Sequence, residues 1–519
     1  METTRNIWPM VLGGIVLMLA VVTAMFGATG YSLNGYHDAV FFVVPGVSFA
    51  VGDGLINPLT DTRTSWGDPT GGDRYLYFPP LWALLVSSLT SSAVPLPYPQ
   101  QVMLIAGLVA ALMVLLIAWL FARVATLNNR PLTGLSTALI VIALCIMLRA
   151  VWTNLARPEN LENLLLVAAC LIAFSARRPR EVIAGFAVAL GLMPAIHPFG
   201  AMFAPLLVGL YFSFRYPWRE ALTKIAAVCG LALIVYMLVM QLSPYSIAET
   251  LRGVSRHADL EVQRMDIRAT VGFLKSPYAL AYVVVMTFLV AIGTRFFMRY
   301  RGAVRSLPLF LLFAAGVVGL MAQMVVIGMK TYYAILFITP IFAAIIYYFV
   351  HVSPPGRLKY AALAFLALFA AISLRPVLAF PEYLSGGMTI EAAREKFTAI
   401  VKEYPVAELY VGGNLWVLSE EYRRMHYLGD ILPSDPLSPH RLVVLDRNYL
   451  QGSDSSVLAV PAEAEGCRLI ADHLTRGVPT FISLRLTRTM PGYGFAVYAC
   501  GERALGNVQI RRVSTFLNN

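Results

Sequence analysis

Apolar residues along this chain come in long runs separated by short polar links. The runs fall at 7–27, 101–123, 132–152, 161–176, 182–197, 198–214, 224–242, 277–297, 307–328, 331–350 and 359–379. Runs of roughly 17–24 residues match what a helix needs to cross a bilayer. The pattern predicts an α-helical polytopic membrane protein of about eleven spans. The runs 182–197 and 198–214 meet at His197-Pro198, so they read as a tight helical hairpin or as one broken unit. Phe78 to Leu89 is also apolar, but it is short and opens with Phe78-Pro79-Pro80. It reads as a helix lying on the outer surface or re-entering it. Asp38 to Val51 reads as another interfacial helix.

Beyond Phe380 the pattern becomes that of a soluble domain. Phe397 to Val401 predicts a helix, and Glu408 to Val411, Arg441 to Leu445, Thr480 to Leu486 and Gly494 to Ala499 predict strands. The expected organisation is a transmembrane domain over 1–380, with a first outer loop over 28–100, and a small α/β or α+β extracytoplasmic domain over 381–519.

Composition agrees with the membrane reading. Of 519 residues, 58% are hydrophobic and 13% charged, and the mean hydropathy is +0.68. A soluble protein of this length could not bury that much apolar surface. The net charge of +11 could suggest nucleic acid, but its distribution argues against that partner. The basic residues cluster in alternate links: Arg123 and Arg130; Arg177, Arg178 and Arg180; Arg215, Arg219 and Lys224; Arg295, Arg299, Arg301 and Arg305; Arg357 and Lys359. The positive-inside rule puts these links and Arg5 in the cytoplasm, and the C-terminal domain outside. The first run is long for a signal-peptide core and reads as an uncleaved span. Cys145, Cys170 and Cys229 fall within apolar runs and read as small core residues. Cys467 and Cys500 lie in the C-terminal region, where an oxidising compartment would allow a disulfide between them.

Three polar clusters should reach the outer side, and ionisable groups at membrane margins are functional hypotheses by default. The first is Tyr36-His37-Asp38, continuing through Gly52-Asp53-Gly54 to Asn57-Pro58. The second is Arg157-Pro158-Glu159-Asn160-Leu161-Glu162, where Pro158 suits a first helical turn and Glu159 and Glu162 share one face. The third is Lys330-Thr331-Tyr332-Tyr333, opening a span that reaches Pro340. The outer segment from Ser243 to Ser276 carries Arg252, Arg256, Arg264 and Arg268, as an amphipathic surface helix or a flexible loop.

The order of these clusters resembles the GT-C glycosyltransferases, and most closely the protein mannosyltransferase and aminoarabinose transferase group. Asp38 stands where that pattern has an acid in the first outer loop, and Tyr77-Phe78-Pro79-Pro80-Leu81 stands where it has a Pro-Pro segment. Arg157 and Glu159 match the second acidic motif, although Glu replaces the usual Asp; Lys330, Tyr333 and Pro340 match a late-span motif. The resemblance covers roughly 1–380. It implies a bacterial inner-membrane enzyme moving a sugar from a polyprenyl-phosphate donor to a lipid, glycan or protein acceptor on the periplasmic face.

The residue chemistry fits that implication. Transfer from a lipid phosphate needs a base for the acceptor hydroxyl, a role open to the Asp38 carboxylate. It also needs cations for the departing phosphate, of which Lys330 and Arg157 are first choices, with Tyr333 beside them and Arg256 a weaker candidate. Asp38 with Glu159, and with His37, could hold a divalent metal; alternatively Glu159 pairs with Arg157 or caps its helix. Glu162 and His197 are further candidates, His197 facing the cavity or satisfied at the interface. No phosphate-binding loop of the GxxxxGK type is present. The competing function is a transporter or flippase of lipid-linked sugars. Such a protein should carry charge at mid-bilayer and often inverted repeats, whereas most charge here sits at span ends.

Overall fold

The structure is a computed structural model. It describes residues 6–29, 39–59, 74–153, 155–175, 178–197, 205, 208–209, 211–213, 215–263, 335–352, 356–374, 377, 380, 388–405, 407–412, 415–419, 425–428, 437–446, 464, 466–474 and 494–501. Asp38, His37, Lys330 and Tyr333 lie outside the described residues, as do the runs 277–297 and 307–328, most of 198–214, and the expected strand Thr480–Leu486.

The helices, in chain order, are α1 (Trp8–Ala28), α2 (Ala39–Phe42), α3 (Val44–Ala50), α4 (Leu81–Ser88), α5 (Tyr98–Ala125), α6 (Gly134–Thr153), α7 (Glu159–Ser175), α8 (Pro179–Ile196), α9 (Trp218–Met240), α10 (Ile247–Gln263), α11 (Ile335–Tyr347, continued as a π-helical turn through Val352), α12 (Gly356–Ser373) and α13 (Ile390–Glu403). Among the described residues, α1, α5, α6, α8 and α9 are long and apolar enough to cross a membrane. They expose Leu17, Leu108, Leu112, Trp119, Leu233, Ile234 and Leu238 on their outer faces, a continuous apolar exposure that suits lipid rather than water.

The chain forms two compact units. The first comprises Met1–Ala24, Leu76–Leu84 and Ala106–Leu374, and so holds most of the membrane helices. Small residues let these helices approach closely. A Cβ on Gly191 of α8 would lie 2.6 Å from the Ala232 carbonyl oxygen of α9, and one on Gly185 would lie 2.8 Å from Ile172 of α7. Polar ties among the described residues include two buried ones and one exposed one. The Thr339 hydroxyl of α11 donates to Asn163 Oδ1 of α7 at 3.2 Å. The Trp152 indole of α6 donates to Thr23 Oγ1 of α1 at 3.1 Å. At the π-helical turn, Arg130 Nη1 donates to the Val350 carbonyl at 2.8 Å.

The second unit comprises Met25–Tyr75, Leu85–Ile105 and Arg375–Asn519. It contains a five-stranded mixed sheet in the order β2-β1-β3-β5-β4. The strands are β1 (Glu408–Val411), β2 (Met425–Tyr427), β3 (Arg441–Asp446), β4 (Arg468–Asp472) and β5 (Phe495–Cys500). β2, β1 and β3 run parallel, while β5 is antiparallel to both β3 and β4. The apolar stripe of α13 (Ile390, Ala393, Phe397 and Val401) is buried, with Phe397 edge-on to Phe495 at 6.1 Å. A Cys467–Cys500 disulfide joins the residue before β4 to the end of β5. The first outer loop belongs to this unit except for Leu76–Leu84. Phe41 of α2 meets Tyr427 of β2 edge-on at 6.3 Å, and Gln100 Nε2 donates to Glu391 Oε1 at 2.9 Å.

Several expectations need correction. Asp38 to Val51 is not one interfacial helix. The described part is two short helices, α2 and α3, because Pro45 starts a new helix near its N-terminus. Their residues Val40 to Ser48 are buried rather than half exposed. Cys229 is exposed rather than a core residue, because α9 buries mainly Ala221, Val228, Ala232 and Met240 and turns its other faces outward. Of the two readings left open for the outer segment after Ser243, the helix is the one found, over Ile247–Gln263. Strands β2 and β4 were not expected from the sequence pattern. They are short, and β4 is half exposed on both faces.

Candidate active site

The second polar cluster builds a buried polar site in the first unit. α6 ends at Thr153 and α7 begins at Glu159. The Pro158 carbonyl accepts from the Leu161 and Glu162 amides at 3.0 and 3.1 Å, so Pro158 stands just before the helix and fixes its first turn. Glu159, Asn160, Glu162 and Asn163 fall in the first two turns, and all four are buried. Two carboxylates, Glu159 and Glu162, thus stand in the first turn of α7, at the positive end of the helix dipole.

Arg157 reaches forward to Glu159. Its Nε donates to Oε1 at 2.9 Å and to Oε2 at 3.1 Å, and Nη2 donates to Oε1 at 2.5 Å. Side-chain exposure is 7% for Arg157 and 0% for Glu159. Buried charges cost several kcal/mol each unless paired with good geometry, and this fork supplies it. The sequence left open whether Glu159 pairs with Arg157 or holds a metal; the structure has it paired. Among the described residues, no group of three or more His, Cys, Asp or Glu could hold a metal ion.

Glu162, one turn along, meets His197. His197 is the C-cap of α8, its backbone N–H donating to the Met193 carbonyl at 2.9 Å. Nδ1 stands 3.9 Å from Glu162 Oε2, with both side chains essentially buried. That is an ion-pair distance, longer than a hydrogen bond. The other face of the ring stacks on Phe78 at 5.5 Å and 26°. The Leu76–Phe78 stretch is pressed from elsewhere by α10, since a Cβ on Gly253 would lie 2.2 Å from the Leu76 carbonyl oxygen. Arg256 lies one turn beyond Gly253 and is half-buried.

Of the candidate residues, the structure therefore brings together Arg157 with Glu159 and Glu162 with His197. Asp38, beyond the described residues, directly precedes α2. Asn160 was part of the motif read from the sequence, whereas Asn163 and Phe78 were missed as members of the cluster. Asn160 donates to the Val151 carbonyl at 3.1 Å. Two asparagines at i and i+3 in an otherwise apolar run are a readable signal; the Phe78 stack has no sequence signal.

Residues 75–327, which contain this whole cluster, match the model of glycosyltransferase family 87. This match, over just under half of the chain, agrees with the GT-C resemblance carried by the sequence motifs. No curated protein matches the chain. The chain is also similar to structures of the Archaeoglobus fulgidus oligosaccharyltransferase. The apo form aligns at 12% identity and TM-score 0.46, over 82% of this chain and 65% of that one. The form complexed with zinc and sulfate gives 14% and 0.38, over 79% and 62%. The form tethered to an acceptor peptide containing the NVT sequon gives 14% and 0.41, over 82% and 64%. The chain thus spans less than two thirds of that enzyme's length.

Proposed function

We propose that this protein is a membrane glycosyltransferase that moves one sugar from a polyprenyl-phosphate donor to a lipid, glycan or protein acceptor. The reading places the reaction on the periplasmic face of a bacterial inner membrane. The observation that carries it is the family 87 match over 75–327. The membrane helices suit a donor drawn from the bilayer, and the Cys467–Cys500 disulfide suits an oxidising compartment for the second unit.

In this reading the acceptor hydroxyl oxygen attacks the anomeric carbon of the donor sugar. The bond from that carbon to the phosphate oxygen breaks, and its electron pair leaves with the polyprenyl phosphate. The hydroxyl proton passes to the Asp38 carboxylate as general base. Lys330 and Tyr333 contact the departing phosphate. Glu159, held by three hydrogen bonds from Arg157, serves to orient that guanidinium.

Sugar transfer by the purified full chain, given a panel of radiolabelled polyprenyl-phosphate sugars and membrane-lipid acceptors, tests the reading. Wild type should turn over one donor, and Asp38→Asn at equal protein level should not. Retained turnover by Asp38→Asn removes the assigned base. No turnover by either, with labelled lipid changing leaflets in proteoliposomes, replaces the enzyme by a flippase.

A further inference from the structure

We propose that His197 is a positioning residue of this site, locking the first turn of α7 to the Tyr77–Pro80 segment through Glu162 on one side and Phe78 on the other. The inference rests on the transferase reading for its role, and on the geometry alone for the lock itself.

Four observations converge on it. Glu162 and His197 are both essentially fully buried, with Nδ1 3.9 Å from Oε2, and ionisable groups are almost never so deep unless paired. Their backbone positions favour opposite charges. Glu162 lies in the first turn of α7, the positive end of that helix, and His197 caps α8 at its negative end. The Phe78 ring stacks on the imidazole, at a distance within reach of a cation–π attraction. The stretch that carries Phe78 is confined from another side, where Gly253 of α10 closes on the Leu76 backbone. The lock therefore ties α7, α8, α10 and the Pro-Pro segment together, one turn from the Arg157–Glu159 fork.

Its consequence is rate rather than affinity. A displacement of about 1 Å in a reacting constellation can cost on the order of 100-fold in rate. His197→Phe keeps the ring stack and removes the nitrogen that faces Glu162. It should lower kcat by about 30- to 100-fold while donor KM changes by less than about threefold. His197→Asn places an amide nitrogen near the Nδ1 position and should recover about tenfold of that loss. A merely space-filling histidine predicts the reverse order, with Phe the better replacement.

The test is steady-state transfer by wild type, His197→Phe and His197→Asn, with thermal unfolding of each in detergent. A rate order of wild type, Asn, Phe supports the lock. Phe equal to wild type, or Asn no better than Phe, overturns it. If wild type transfers no sugar, the transferase reading fails, and the lock is decided without catalysis. A cycle of Glu162→Gln, His197→Asn and the double variant is then followed by detergent unfolding. Non-additive shifts support the pair, and additive shifts overturn it. The same cycle decides the matter if His197→Phe does not accumulate.

Discussion

Removing one member of the Arg157–Glu159 fork should be among the most damaging conservative changes in the membrane region. Glu159→Gln keeps the shape and one carbonyl acceptor, but it deletes the negative charge and turns an amide NH2 toward the guanidinium. Arg157 is then left buried with its charge uncompensated, in a position that is only 7% exposed. Breaking a buried pair in this way costs about 3–5 kcal/mol, against roughly 0–1 for an exposed pair. Arg157→Met should cost a similar amount for the mirror reason, leaving the Glu159 carboxylate stranded. The double variant Arg157→Met/Glu159→Leu removes both charges and should recover most of the loss, because apolar replacement of a whole buried pair is often near neutral. Reversible unfolding in mixed detergent and SDS micelles measures all four proteins. Single variants within about 0.5 kcal/mol of wild type, or a double variant equal to the sum of the singles, would refute the buried fork.

Three further outcomes follow from other parts of the chain. Cys467→Ala should destabilise the sheet unit by about 4 kcal/mol on the chain-entropy estimate for a loop of this length, given the 33-residue separation of the cysteines; unfolding of the full chain with and without reductant checks it. Burial, reinforced by Lys396 and opposed by Asp472, holds the His473 imidazole below its ordinary value of 6.5. Stability from this group is present above pH 6.5 and is lost as pH falls through the lowered value, so His473→Asn should flatten the acid limb of the stability profile of the sheet unit. Gly253→Val places a Cβ 2.2 Å from the Leu76 carbonyl oxygen, a backbone atom that cannot swing aside. It should cost about 1–3 kcal/mol as an overpacking change, and raise amide hydrogen exchange across Leu76–Phe78.

The membrane helices were legible because hydropathy alone determines where a span can lie. Expected runs at 7–27, 101–123 and 132–152 correspond to α1, α5 and α6 within a few residues. Charge pattern and apolar length said nothing of which helix face turns inward, so Cys229 was misplaced. In the sheet unit, β1, β3 and β5 were visible as apolar or alternating stretches. β2 has only three residues, and its partner β1 supplies the register. The Arg157–Glu159 pair was readable because only Pro158 separates its members along the chain. The Glu162–His197 pair was not, because its members are on different helices and only tertiary packing brings them together. Phe78 was noticed for its prolines, while its ring has its partner in a residue over a hundred positions away.

The most direct measurement is the stoichiometry of the reaction itself. Purified full-length protein in nanodiscs is supplied with a polyprenyl-phosphate sugar, with and without acceptor, and both products are quantified together. The account predicts one polyprenyl phosphate released for each sugar joined to acceptor, and little release when acceptor is absent. Equal release in both conditions, or sugar that crosses the bilayer still attached to its lipid phosphate, would contradict it.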